Sequence, residues 1–106
     1  MQAGEATLEK VVRETTVEIK NADGLHLRPA MRFVDLASRF DCEISVGNGQ
    51  TTVDGKSIMH MSLLAATYGT HLTVRAVGPQ AQEAIDALRH LVEVEMFGES
   101  PPDKML

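Results

Sequence analysis

Seven consecutive residues, Gly24-Leu25-His26-Leu27-Arg28-Pro29-Ala30, gather a glycine, a histidine, an arginine and a proline at the entry to an amphipathic segment. Ala30, Phe33, Val34, Ala37 and Phe40 recur at the i, i+3, i+4 spacing of one buried helical face. Pro29 suits the first turn of that helix, where its missing N–H costs no hydrogen bond and its φ is already helical. His26 and Arg28 then stand at the helix N-terminus, among unpaired backbone N–H groups at the positive end of the macrodipole. Such a terminus binds anions. Imidazole titrates near neutrality, so a ring nitrogen is free as a nucleophile at neutral pH. A phosphoryl group on that nitrogen would face backbone donors and the guanidinium of Arg28, whose fork matches phosphate oxygens. Gly24 lets the chain turn tightly just before the histidine. The same residue types also suit a histidine that merely caps a helix, and they do not by themselves separate the two readings.

The elements that must position this segment are legible in chain order. Residues 1–14 are polar, with Leu8, Val11 and Val12 as their sizeable apolar side chains, and read as a flexible tail. Thr15 to Lys20 alternates, with Val17 and Ile19 on one face, which predicts a half-buried strand. Asn21-Ala22-Asp23-Gly24 is turn chemistry. After the first helix, Cys42 to Val46 resumes alternation, and Asn48-Gly49 predicts a type I′ hairpin turn. The partner strand, about Gln50 to Val53, is polar enough to be an edge. Ser57 reads as the N-cap of a short helix running to Ala66 and ended by Gly69. His71 to Val77 alternates again. After Gly78-Pro79, Ala84, Ile85, Leu88, Leu91 and Val92 mark the stripe of a last helix, stopped by Gly98. A disordered C-terminal tail is expected over 98–106, leaving one domain at 15–97. The order βαββαβα, with every strand burying one face, predicts an α+β open-faced sandwich: a four-stranded antiparallel sheet with three helices on one face.

Two stretches together resemble a known family. The segment around His26 is similar to the active-site signature of HPr-type phosphocarriers of the bacterial phosphoenolpyruvate–sugar phosphotransferase system. Lys56-Ser57-Ile58-Met59 resembles the regulatory-serine segment of that family, at the matching distance downstream. The likeness runs from about Val17 to Val94 and implies the same sandwich fold. It also implies that His26 accepts a phosphoryl group from phospho-enzyme I and passes it to an A-type acceptor, with Arg28 stabilising the phosphate. Such a protein is a reactant in a relay rather than a stand-alone catalyst, and it needs no cofactor. In some family members a serine kinase modifies the position matched by Ser57, whose other role here is the N-cap. The residues expected to dock partners are Leu27, Met31, Ile58, Met59, His60 and Met61, because apolar side chains around a site suit contact surfaces.

Departures from the family pattern bear on the partner. Leu27 replaces a small residue, Asp23 stands where the family often has Asn or Ser, Asp35 replaces a lysine found in some members, and His60 replaces a frequent glycine. They keep open a nitrogen-regulatory paralogue, or a regulatory module that binds proteins through the Ser57 face. A metal or small-ligand site using His26 and His60 is a further rival, which the resemblance brings closer together. No HxxxH or CxxC pair occurs, so no metal is expected. His71 and His90 read as surface residues.

Composition narrows the classes. The 106 residues suit one domain, and the net charge of −5 argues against nucleic-acid binding. The single cysteine, Cys42, can form no internal disulfide. No apolar run approaches a membrane span and the N-terminus lacks signal-peptide character, so a cytoplasmic monomer is expected.

Overall fold

A computed structural model describes residues 11–103. Strand β1 (Val12–Glu18) leads to helix α1 (Leu27–Ala37), then β2 (Glu43–Gly47) and β3 (Thr52–Asp54). Helix α2 (Ile58–Met61) follows, continued by a 3-10 turn over Ser62–Leu64. Strand β4 (His71–Val77) and helix α3 (Ala81–Arg89) complete the βαββαβα order. The strands form one antiparallel sheet in the order β1-β4-β2-β3, so polar β3 lies at an edge, as its composition predicts.

The core lies between the sheet and the helices. Val17, Ile44, Val46, Leu72, Val74 and Ala76 line the inner face of the sheet. Ala30, Phe33 and Ala37 of α1 and Ala84, Ile85 and Leu88 of α3 pack onto them. The predicted stripes are therefore the buried ones, and α1 is fixed by its own apolar face rather than by helix propensity.

Four expectations need correction. Strand β1 begins at Val12, not Thr15, because Val12, Arg13 and Glu14 pair with Val77, Ala76 and Arg75 of β4. A strand facing water on one side tolerates their polarity; Leu8 lies outside the described residues. The Asn48-Gly49 turn is not type I′: only Gly49 has positive φ (95°), and Asn48 Oδ1 instead accepts from the amides of Gln50 and Thr51, each at 2.9 Å. This Asx-type side-chain capping holds a longer loop and moves β3 to Thr52–Asp54. Helix α2 ends at Met61 and its 3-10 continuation at Leu64, well before Gly69; Ala65 then turns left-handed (φ 48°). Lastly, the expected tail over 98–106 begins folded: the Gly98 and Glu99 amides donate to the carbonyls of Glu95 and Met96, and the Ser100 carbonyl accepts the Ala22 amide. Residues 90–94 continue α3 as a wider turn, and Met96, Phe97 and Gly98 follow with φ of 51°, 57° and 81°. Phe97 is fully buried, and that burial holds the chain in a reversal which Met96 and Phe97 would otherwise avoid. Among the described residues no helix is long and apolar enough to cross a membrane.

Candidate functional site

His26 is the N-cap of α1, with extended backbone (φ −80°, ψ −170°) and no side-chain bond to the helix. Its carbonyl accepts the amide of Ala30 at 3.0 Å, so the helix starts immediately beyond it. Pro29 and Ala30 are buried and anchor the first turn, while His26, Leu27 and Arg28 point outward. Behind them, Leu25 donates its amide to the Ala66 carbonyl at 2.9 Å, tying the loop to the segment after α2. Gly24 (φ 73°) lies so close to this segment that a Cβ would come within 2.6 Å of the Ala66 carbonyl oxygen. A glycine here serves both a left-handed turn and a close backbone approach.

The imidazole itself looks toward the C-terminal segment. His26 Nε2 lies 2.9 Å from Glu99 Oε2, with the histidine side chain 44% exposed and the glutamate 19%. Glu99 Oε1 accepts from Asn21 Nδ2 at 2.9 Å, and the same amide nitrogen donates to the Gly24 carbonyl at 2.8 Å. Asn21 is fully buried, and its Oδ1 has no hydrogen-bond partner. The side-chain roles of Asn21 and Glu99 both escape sequence reading: Asn21 opens the expected turn, its carbonyl accepting the Gly24 amide, and Glu99 falls in the expected tail. Phe97-Gly98 carried the one usable signal, a large apolar residue beside a helix-stopping glycine, as in a C-cap packed onto its own helix.

The other candidates separate. The Arg28 side chain is exposed and makes no hydrogen bond or ion pair among the described residues, so it is available to an anion at the helix start. Asp23, His26 and Glu99 each bring one ligand-type atom within 4.8 Å of the others, a grouping that no sequence spacing suggests; His60 is not part of it. All three groups lie at or near the surface, where acidic clusters are ordinary, and Nε2 already has a hydrogen-bonding partner in Glu99. Ser57 caps α2 as expected, its Oγ accepting from the His60 amide at 3.2 Å.

Of the expected docking residues, Leu27 (63%), Met31 and Met59 (76%) are exposed, as is His60. Leu27, Met31 and Ile58 line one shallow apolar hollow of about 400 Å³ with Val34 and Asp35. Met61 is a correction: it is fully buried, because the last residue of so short a helix turns into the core. Leu63, 66% exposed, is an apolar surface residue the sequence reading passed over. His71 and His90 pair with Glu18 and Glu95 at the surface. Burial pushes the Cys42 thiol above its ordinary value, which keeps it protonated and unreactive at neutral pH.

A family profile described as "PTS HPr component phosphorylation site" matches residues 13–94. The chain belongs to the HPr family. Among HPr relatives, "Phosphocarrier protein HPr" of Pseudomonas aeruginosa is 46% identical over 77 residues, covering 72% of this chain and 86% of that one. "Phosphocarrier protein NPr" of Escherichia coli K12 is 38% identical over 74 residues, covering 69% and 82%. An HPr crystal structure from Thermoanaerobacter tengcongensis superposes with a TM-score of 0.78 at 42% identity, covering 83% of this chain and 98% of that one. The four-stranded sheet with three helices is thus the HPr fold, and His26 falls within the matched residues.

Proposed function

We propose that this chain is a monomeric cytoplasmic phosphocarrier. His26 accepts a phosphoryl group from the phosphohistidine of enzyme I and hands it to a histidine of an A-type acceptor. The observation that carries the reading is the state of the His26 ring. Nε2 is engaged by Glu99, while Nδ1 has no partner among the described residues and sits at the open start of an eleven-residue helix. A phosphoryl group on Nδ1 meets the leading backbone amides of α1 and the free guanidinium of Arg28. Positioning and electrostatics carry such transfers, so neither metal nor nucleotide is required.

Leu27, Met31, Ile58 and Met59 form the apolar rim on which partners dock. Asp35 at the edge of the hollow favours a partner with a basic residue opposite it. A second reading, service in a nitrogen-regulatory branch, is favoured by the similarity to NPr and by Leu27, Asp35 and His60 on this face. Presenting the chain with phosphoenolpyruvate and either the sugar-system enzyme I or its nitrogen-regulatory counterpart tests both readings. The expected result is one phosphoryl group per chain, gained faster from the cognate donor, as read by intact mass. No gain from either donor would refute the phosphocarrier reading.

A further inference from the structure

We propose that Glu99 is a positioning residue for His26: its carboxylate accepts the Nε2–H and so leaves Nδ1 as the nucleophilic nitrogen. The proposal rests on the phosphocarrier reading for its consequence in transfer, but its statement about the ring stands apart from it. A carboxylate can only accept, so the 2.9 Å contact requires Nε2 to be the donor. The neutral imidazole then carries its single proton on Nε2 and its lone pair on Nδ1.

The carboxylate is itself held. Its second oxygen accepts from Asn21, whose amide is fixed in the core by the Gly24 carbonyl. The backbone on either side is tied down as well. Glu99 N donates to Met96 O at 2.8 Å, and the Ser100 carbonyl accepts the Ala22 amide at 2.9 Å. Phe97 is buried, and its carbonyl accepts from Arg32 Nη1 of α1 at 2.9 Å. Three successive left-handed residues, two of them not glycine, reverse the chain immediately before Glu99. Strain of that kind persists where surrounding contacts over-determine it. Its result here is a carboxylate delivered to one nitrogen of one exposed histidine.

The transfer balances without moving a proton. The Nδ1 lone pair forms the new N–P bond as the N–P bond of the enzyme I phosphohistidine breaks, and the donor ring leaves with that bonding pair. The His26 ring, still protonated on Nε2, becomes cationic, with the Glu99 carboxylate against the charge. In the onward step the N–P bond breaks and the pair returns to Nδ1, so the leaving group is again neutral imidazole with its proton on Nε2. Glu99 thus serves both directions of the relay by keeping one proton in place.

The test compares Glu99→Gln and Glu99→Ala with the parent chain. Ring 15N shifts of His26 in the unphosphorylated protein report which nitrogen carries the proton, and enzyme I with phosphoenolpyruvate reports the transfer rate. The parent and Glu99→Gln, whose side-chain oxygen still accepts, should hold the proton on Nε2, and Glu99→Ala should lose that preference. Transfer should slow by about fivefold in Glu99→Gln, which lacks the charge, and by tenfold or more in Glu99→Ala. A merely structural Glu99 would leave the tautomer alone. An unchanged ring in Glu99→Ala, or unchanged transfer in folded variants, overturns the proposal. A parent chain that gains no phosphoryl group overturns the phosphocarrier reading instead, while the ring shifts still decide the role of Glu99.

Discussion

Replacing Gly24 by alanine tests whether the loop before His26 is held by close backbone contact. Two costs arise there. The first is conformational: φ is +73°, and a residue with a Cβ resists this left-handed region by about 1–2 kcal/mol. The second is steric. The new Cβ would lie 2.6 Å from the Ala66 carbonyl oxygen and 2.9 Å from Thr67 Cα. Both are backbone atoms, and the Leu25–Ala66 hydrogen bond ties the two segments together, so relief requires moving a loop and not a rotamer. Overpacking of this kind costs about 1–3 kcal/mol, for a combined loss of roughly 2–5 kcal/mol. Gly49→Ala is the matched control: φ is +95°, but nothing lies within 4 Å of its Cβ. It should lose only about 1–2 kcal/mol. Urea unfolding at equal m-value measures both. Phosphotransfer by the folded fraction should drop in Gly24→Ala and stay level in Gly49→Ala, because only the first displaces His26. Equal destabilisation of the two variants would refute the close-approach argument.

Two charges beside the site should act with opposite sign. Arg28→Ala should fold normally and transfer at least tenfold more slowly, because a free guanidinium stabilises the moving phosphoryl charge; stopped-flow transfer from enzyme I checks it. Asp23→Asn should favour the phosphorylated form. The Asp23 carboxylate lies beside His26, and a phosphoryl group of charge near about −1.5 to −2 on that ring would be repelled by it, so the phosphorylation equilibrium should rise when the charge is removed, and the rise should shrink at high salt. Ser57→Ala removes the N-cap and should cost about 1 kcal/mol, whereas Ser57→Asp keeps it. If Ser57 is also regulatory, only Ser57→Asp slows transfer, and the slowing shrinks at high salt; equal rates would leave the serine a cap alone.

Most of the scaffold around His26 was legible because its causes are local. Pro29 and the Ala30–Phe33–Ala37 stripe place the start of α1 to within two residues, and the alternation in 71–77 gives β4 directly. Ser57 as N-cap also follows from its neighbours. What escaped is non-local. Nothing near Glu99 announces that it reaches residue 26: that contact depends on Phe97 being buried, on Arg32, 65 residues earlier in the chain, bonding the Phe97 carbonyl, and on two non-glycine residues adopting positive φ. Asn21 does open the expected turn, its carbonyl accepting the Gly24 amide, but nothing local announces that its side chain is buried and donates to Glu99. Met61 was assigned outward because a four-residue helix has no period long enough to show its face. Asn48-Gly49 misled for a similar reason, since Asn48 uses its side chain where the expected turn would use its backbone.

The most direct measurement is the location of the phosphoryl group. After reaction with enzyme I and phosphoenolpyruvate, 31P-coupled NMR of the ring-15N-labelled protein should place one acid-labile, alkali-stable phosphoryl group on Nδ1 of His26. Folded His26→Ala should take up none. Phosphorylation on Nε2 would contradict the assignment of the two ring nitrogens, and undiminished labelling of His26→Ala would contradict the site itself.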